Sequence, residues 1–448
     1  MKKFLYSTTA LVGAALLFGD ISTAKADVMS DTEITLGAST RFQLMSSSID
    51  DDRKSALGDG GADGKQIRSA VSESRVRLAL DGKREHPNGL TTGFTLRFKP
   101  TEGSTVDNAF GYIQGTFGKI QLGNQQSADN QLGFVPIHYA TGFGAIDADV
   151  PSMAIASPGK GATVGYPFGR SGSGRAARIA YFSPSVSGFQ MGVSYGAEDN
   201  KANKGGNGEE VAGDVTDSFG VGFNYESSYN DVGVKVGAGY STGSYSKKDA
   251  ATPFGTAALS VAELGAIFAS DGADDNPDVA LRGEAPTGSV TPDYTAVPDK
   301  VGDDPATFAG AVSFSFADLE FGATWSSGDF IDGGDGTIYG LGGSYSMDAF
   351  TFGLSWGNQQ IDNPGYSINS AGAVTFLPTG GDKFEADTIA FTVGYGVGDG
   401  ANLGFVIERT DWTHTRFTYE GAAGSETFAD RTLEDSRTGF GIGLDLSF

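Results

Sequence analysis

The chain has 448 residues, with 31 Lys and Arg against 55 Asp and Glu, a formal net charge of −24, 68 glycines and no cysteine. The acidic balance excludes nucleic acid as a partner, since phosphate binding needs a basic face, and the lack of cysteine excludes a disulfide framework, a thiolate metal site and a cysteine nucleophile. Glycine at about twice its usual share, with no Leu-rich helical periodicity, points to closely packed, curving strands, and the length suits either about two or three soluble domains or one large closed barrel.

The first elements form an export signal. Met1-Lys2-Lys3, the apolar run Ala10–Phe18 and Ala24-Lys25-Ala26 read as a signal peptide over residues 1–26, cleaved after Ala26. The apolar run falls well short of the ~20 residues that a spanning helix needs. Residues 27–448 then form one β-barrel domain.

Strand alternation begins at Thr32–Leu44, with Ile34, Leu36, Ala38, Phe42 and Leu44 outward and Arg41 inward. A Gly/Asp-rich loop reaches about Arg68. Ser72–Asp81 follows, with Val76, Leu78 and Leu80 out and Arg75 and Arg77 in; it turns at His86–Gly89 into Leu90–Lys99, with Phe94, Leu96 and Phe98 out and Arg97 in. Val106–Gln114 turns at Gly115–Gly118 into Lys119–Gly123. Over residues 124–174 the alternation gives way to Gly, Pro, Ala and aromatic residues, which predicts a long structured loop. Alternation resumes at Arg175–Phe182, turns at Ser183–Gly188 and returns through Phe189, Met191, Val193 and Tyr195. After an acidic loop, Phe219, Val221, Phe223 and Tyr225 pair across a turn at Ser227–Asn230 with Val232, Val234, Val236, Ala238 and Tyr240. Residues 246–305 are an Asp/Pro-rich external loop, with a short helix expected near Ala257–Phe268.

Three hairpins follow, turning at Ala317-Asp318, Met347–Ala349 and Gly398–Gly400. The last stretch sets Phe440, Ile442, Leu444, Leu446 and Phe448 on one face and Gly441, Gly443, Asp445 and Ser447 on the other. Its edge carries neither Lys nor Pro to blunt it, so it needs a partner, and the first strand supplies one. The expected fold is an all-β, closed antiparallel transmembrane barrel of about sixteen strands, with short turns on one rim and long loops on the other. A soluble sandwich or propeller would not sort its connections in this way. The calcium-solenoid-like runs Gly58–Gly64 and Asp332–Gly336 do not recur as tandem repeats.

Gly115-Thr116-Phe117-Gly118-Lys119-Ile120-Gln121-Leu122-Gly123-Asn124 resembles the turn and strand before the constriction loop of Gram-negative general porins. Ser72–Leu78 with Asn88-Gly89-Leu90 resembles the second and third strands of that family, and the terminal Phe448 is similar to its barrel-assembly signal, which Phe440, Ile442, Leu444 and Leu446 extend. The closest likeness is to the trimeric porins of alphaproteobacteria. The resemblance implies a homotrimer in the outer membrane of a Gram-negative bacterium, bounded by lipid and lipopolysaccharide and inserted by the barrel-assembly machinery. It also implies a third loop folded into the lumen and passive diffusion of ions and small hydrophilic solutes. Members of the family set an arginine cluster on the wall against carboxylates on that loop. The stretch after Asn124 departs from this pattern in having few acids.

Inward parity places Arg41, Arg75, Arg77 and Arg97 on neighbouring staves, where charged side chains select ions; a charge on the lipid face would cost about 2–4 kcal/mol at the midplane. Asp129, Asp147 and Asp149 are the opposing loop carboxylates. The total charge favours cations and the inward arginines favour anions, so totals leave the preference open. Asp50-Asp51-Asp52, Asp271 with Asp274-Asp275, and Asp303-Asp304 supply oxygen ligands of the kind structural Ca²⁺ takes, against the simpler reading of solvated loop acids. Tyr195, Tyr225, Tyr240, Trp325 and Trp356 suit interfacial girdles. Neither a cofactor nor catalysis is expected, because His86, His138 and His414 lie outside any recognisable partner motif. Two rival readings stay open. A substrate-specific channel would show aromatics stacked along the lumen, whereas the inward positions are mostly Gly, Ser, Thr and charges. A structural or adhesive barrel would use the same acidic loops without conducting ions.

Overall fold

The computed structural model describes residues 32–47, 70–101, 106–136, 140–147, 164–170, 175–198, 215–245, 304–330, 334–362, 365–368, 374–377, 383–420 and 427–448. The signal segment 1–26, most of the external loop 246–305 with its expected helix at Ala257–Phe268, and the acidic groups at residues 50–52, 271–275 and 303 lie outside them.

The strands run in chain order as β1 (Thr32–Ser47), β2 (Ala70–Glu85), β3 (Thr91–Phe98), β4 (Val106–Gly115), β5 (Gly118–Gln125) and β6 (Ala176–Phe182). Next come β7 (Phe189–Glu198), β8 (Val215–Tyr229), β9 (Val232–Tyr245), β10 (Ala306–Phe316), β11 (Leu319–Phe330) and β12 (Gly334–Met347). The last are β13 (Phe350–Asp362), β14 (Gly365–Ile368), β15 (Val374–Leu377), β16 (Lys383–Gly398), β17 (Ala401–Glu420) and β18 (Thr427–Ser447). Sixteen of them close into one antiparallel barrel in sequence order; β14 and β15 pair only with each other, in the connection from β13 to β16. That small ladder lies outside the sequence expectation.

Closure joins β1 to β18 in continuous register from Ser39↔Ser447 to Ser47↔Gly439. At this seam Arg41 faces Asp445, and its Nε and Nη2 donate to the two carboxylate oxygens at 2.5 and 2.9 Å. Planar fork-to-fork pairing makes this a strong contact type. Arg41 points inward as its parity requires, but its guanidinium belongs first to the seam.

On one rim the connections are short, two residues in five of the seven hairpins and five and six residues at 86–90 and 183–188, while the other rim carries all the longest connections together with a three-residue one at 331–333. One turn differs from its expected place. Ser227, Ser228 and Tyr229 stay in the β8–β9 ladder opposite Val234, Gly233 and Val232. The chain reverses instead at Asn230-Asp231, both with positive φ (46° and 68°), the geometry of primed hairpin turns that Asn and Asp tolerate. β17 and β18 also run longer than alternation suggests, since their outer portions carry polar residues where the apolar signal stops.

Outward positions form the apolar belt. Leu36, Leu122, Phe308, Leu354, Ile407 and Phe440 each expose half or more of their surface, an arrangement that water would penalise and lipid rewards. Tyr195, Tyr225 and Trp325 are exposed on this surface, and Trp356 donates its indole N–H to Asp387 Oδ1 at 3.1 Å. Aromatic pairs such as Tyr240–Phe308 and Phe350–Tyr395, with centroids 4.6 and 4.7 Å apart, bridge neighbouring strands. The buried apolar clusters, by contrast, lie inside the barrel.

Replacing Asp445 with Ala leaves the seam guanidinium without its carboxylate fork. Urea unfolding of the detergent-solubilised barrel, followed by Trp fluorescence, is expected to show a loss of about 1–3 kcal/mol; equal unfolding midpoints would refute that role.

Candidate functional site

The connection from β5 to β6 folds into the lumen. It opens with α1 (Ala128–Leu132), a single short helix where the sequence pattern predicts only loop. Such a loop buries backbone groups that have no sheet partner, and each must be satisfied. Wall side chains do this. Ser194 Oγ accepts from the Ala128 N–H at 2.9 Å, Asn224 Nδ2 donates to the Leu132 carbonyl at 3.1 Å, and Gln43 Nε2 donates to the Thr141 carbonyl at 2.7 Å. Ser355 Oγ accepts from the Ala145 N–H at 3.2 Å, and Gln359 Oε1 from the Gly165 N–H at 2.7 Å.

Between these polar clasps the wall is made of glycine. A Cβ placed on Gly222 would lie 2.6 Å from the Ala128 carbonyl oxygen, and one on Gly357 would lie 2.9 Å from that of Ala145. These are backbone atoms that cannot swing aside, so the close approach requires residues without side chains. Gly404 meets the Ala140 carbonyl oxygen in the same manner, while Gly220, Gly239, Gly340 and Gly443 make room for the loop side chains of Asp129, Phe168, Ile146, Thr141 and Phe143.

Apolar packing completes the seat. Ile146 and Val164 from the loop pack with Phe330, Ile338, Ile361, Phe384 and Trp412 from the wall, and Phe143 packs with Met45, Ala390 and Val406. This corrects the expectation of a lumen lined mostly by Gly, Ser, Thr and charges. On β11–β18 the inward side is partly apolar because the loop, not water, covers it.

The seats fall on strands from β6 round to β18 and β1. On β2, β3 and β4 only Ala79 and Asp107 of the described inward side chains are buried: Arg75, Arg77, Thr95, Arg97, Phe110 and Tyr112 all keep partial exposure. Water therefore meets the wall along these staves. Arg75 stands opposite Arg41, Arg77 opposite Ser39 and Arg97 opposite Ala79. Three of the four predicted arginines thus share an open face, with Arg41 beside it at the seam.

The loop acids part company. Asp129 is 1% exposed, wedged over Gly220 and Gly239, and attracted to Arg178. Its place in α1, whose side packs on β8 and β9, turns it away from the water column, so it is not a surface that a passing ion meets. Asp147 is exposed, with φ 52° and its N–H bonded to the Val164 carbonyl at 2.7 Å. Asp149 and His138 lie outside the described residues.

Sequence reasoning missed Asp107, Lys99, Arg175 and Arg178. Asp107 receives Arg97, Lys99 and Arg175, and Arg178, 4% exposed, donates to Ser218 Oγ at 3.0 Å. Inward parity on β6 was the available signal for Arg178. Of the histidines, His86 sits in a turn 2.9 Å from Thr92 Oγ1 and His414 lies within β17. Among the described residues no three His, Asp or Glu converge as a metal site.

A family model described as Gram-negative porin matches residues 8–415. A search of curated proteins returns no match. Outer-membrane expressed OmpT of Vibrio cholerae superposes with a TM-score of 0.51 at 13% identity, over 95% of this chain and 100% of that one. The anion-selective porin from Comamonas acidovorans gives 0.50 at 14% identity over 93% and 100%. The outer-membrane channel DcaP of Acinetobacter baumannii gives 0.50 at 12% identity over 96% and 100%. At such identities these structures speak for the shared barrel fold.

Two outcomes follow from the loop's seat. Gly357→Leu forces the loop off β13 towards the lumen, costing about 1–3 kcal/mol by overpacking and lowering single-channel conductance; wild-type conductance would contradict the seating. Burial pushes the Asp129 carboxyl above its usual range, against the pull of Arg178 and of hydrogen bonds from Ser127 and the backbone of Asp129 and Gly169. The folded barrel therefore keeps this proton at a pH where the unfolded chain has released it, and loses stability as pH rises through that interval. Asp129→Asn is expected to flatten this part of the pH–stability profile.

Proposed function

Because the chain belongs to the Gram-negative porins, outer-membrane barrels through which ions and small hydrophilic solutes diffuse passively, we propose that its water-filled path runs between the seated loop and the staves β2–β4. The observation that carries this reading is the division of the inner wall. From β6 round to β1 the wall is covered by the loop through clasps, glycines and apolar contacts, while β2–β4 keep partly exposed polar and charged side chains. An aperture bounded by a fixed loop and a charged wall filters by size and sign without covalent chemistry.

In this reading Arg75, Arg77 and Arg97 form the basic side of the constriction, Arg41 supports them from the seam, and Asp147 and Asp149 supply the acidic side. Asp129 acts as an anchor for α1. Residues 1–26 are removed after export, and the apolar face Phe440, Ile442, Leu444, Leu446 and Phe448 is what the barrel-assembly machinery reads. Three copies associate in a membrane of lipid and lipopolysaccharide. Ca²⁺ at the external acidic segments would bridge their carboxylates to lipopolysaccharide phosphates.

Planar-bilayer recording tests the pore first. Purified folded protein is expected to give large conductance steps that close in thirds under high voltage, and Arg75→Glu is expected to move the reversal potential towards cations. Correctly folded protein that passes no current would overturn the channel reading and favour a structural surface role.

A further inference from the structure

We propose that Asp107 gathers Arg97, Lys99 and Arg175 into a cationic edge that makes the channel prefer small anions, such as chloride, inorganic phosphate and carboxylates, an inference that rests on the pore reading above. β3 and β4 pair regularly from Thr91↔Gln114 to Arg97↔Asn108, then shift between Arg97 and Phe98, which pairs with Val106. Asp107 is the extra residue of that bulge. Bulges bend a strand and re-aim a side chain, and here the carboxylate meets cations from the inner side of β3 and from the end of the constriction loop.

The Arg97 guanidinium contacts Asp107 Oδ2. Lys99 Nζ lies 3.3 Å and Arg175 Nη1 3.0 Å from Oδ1. Arg175 Nε also donates to Asn108 Oδ1 at 2.8 Å, which fixes the plane of its guanidinium. The Asp107 side chain is 7% exposed, whereas those of Arg97, Lys99 and Arg175 are 16%, 12% and 24% exposed. All four groups are largely buried, the carboxylate most of all, so what contact the cluster has with water is made chiefly by the cations. Farther round the same inner face come Arg77 and Arg75 of β2.

The cluster also displays its own ligand chemistry. Two guanidinium forks and an ammonium that close on a carboxylate suit any small oxyanion of similar shape. The sign of the field in a constriction is set by charges within about a Debye length, ~8 Å at physiological salt. The formal −24 of the whole chain therefore does not decide selectivity; the local set does, and in it Arg97, Lys99, Arg175, Arg75 and Arg77 outnumber Asp107 and the inward acids Glu73 and Asp81 of β2. Asp147 is anchored through the loop to β12 and β13, far round the ring from β3, so it sets a field across the aperture rather than cancelling this edge.

Reversal potentials across a KCl gradient in planar bilayers test the proposal, with fold checked by heat-modifiable mobility. Wild-type protein is expected to pass chloride several-fold better than potassium. Combined Arg97→Gln, Lys99→Gln and Arg175→Gln exchanges bring that ratio near parity, and Asp107→Asn raises it above wild type by removing the opposing charge. If the triple variant does not fold, Lys99→Gln alone, at a position beyond the end of β3, is expected to shift the potential towards potassium. A wild-type preference for potassium, or neutralised variants that keep the wild-type reversal potential, would overturn the proposal while leaving a working pore. Folded protein without conductance would overturn the pore reading and this inference with it.

Discussion

Everything in this molecule depends on closing a hydrogen-bonded ladder in a solvent that offers no hydrogen bonds. Lipid can satisfy neither an N–H nor a carbonyl, so the edges of β1 and β18 must meet along their whole facing length, and they do so in unbroken register. The seam then sets parity for the whole ring. With Arg41 and Asp445 locked on the inside, each neighbouring strand has one way to present its apolar positions to lipid, because a slip of one residue would turn every side chain over.

Closure creates a second problem, an interior too wide to fill with side chains from the wall alone. The loop between β5 and β6 answers it by treating the inner wall as a partner surface. Ser194, Asn224, Gln43, Ser355 and Gln359 bond its backbone, as a neighbouring strand would have done. Glycines let that backbone approach the wall, and apolar side chains hold it there. The described parts of the loop, held by contacts of three kinds spread round the ring, bound the aperture as part of the wall.

The sequence disclosed the barrel readily and its plumbing poorly, for reasons that individual residues show. Lipid demands apolar side chains at alternate positions, and Ile34, Leu36, Phe42 and Leu44 report this without any tertiary knowledge. The inward arginines of β2 and β3 were legible from the same period. The loop's seat was not, since nothing local distinguishes Gly222, under the loop, from any glycine of a curving strand. Ile338, Ile361 and Phe384 hide for the opposite reason: they are apolar residues at inward parity, which alternation treats as noise until the loop is seen to cover them. Asp129 and Asp147 look alike in sequence, and only packing tells the buried anchor from the exposed acid. Asp107 was invisible because a bulge breaks the very period used to find inward residues.

The loop's contacts also bear on how the barrel is made. The Thr141 carbonyl is held by Gln43, 98 positions earlier, the Ala145 N–H by Ser355, 210 positions later, and Thr141 rests beneath Gly443 of β18. These partners share one surface only after the first and last strands have joined. Constriction is therefore a product of the final stage of assembly, and contacts of such long sequence separation form late because their loop-closure entropy must be met first. A closed barrel whose loop is still unseated is a wide leak across the membrane. The multiplicity of the seat, with partners on both sides of the seam, ties the narrow aperture to the closed ring.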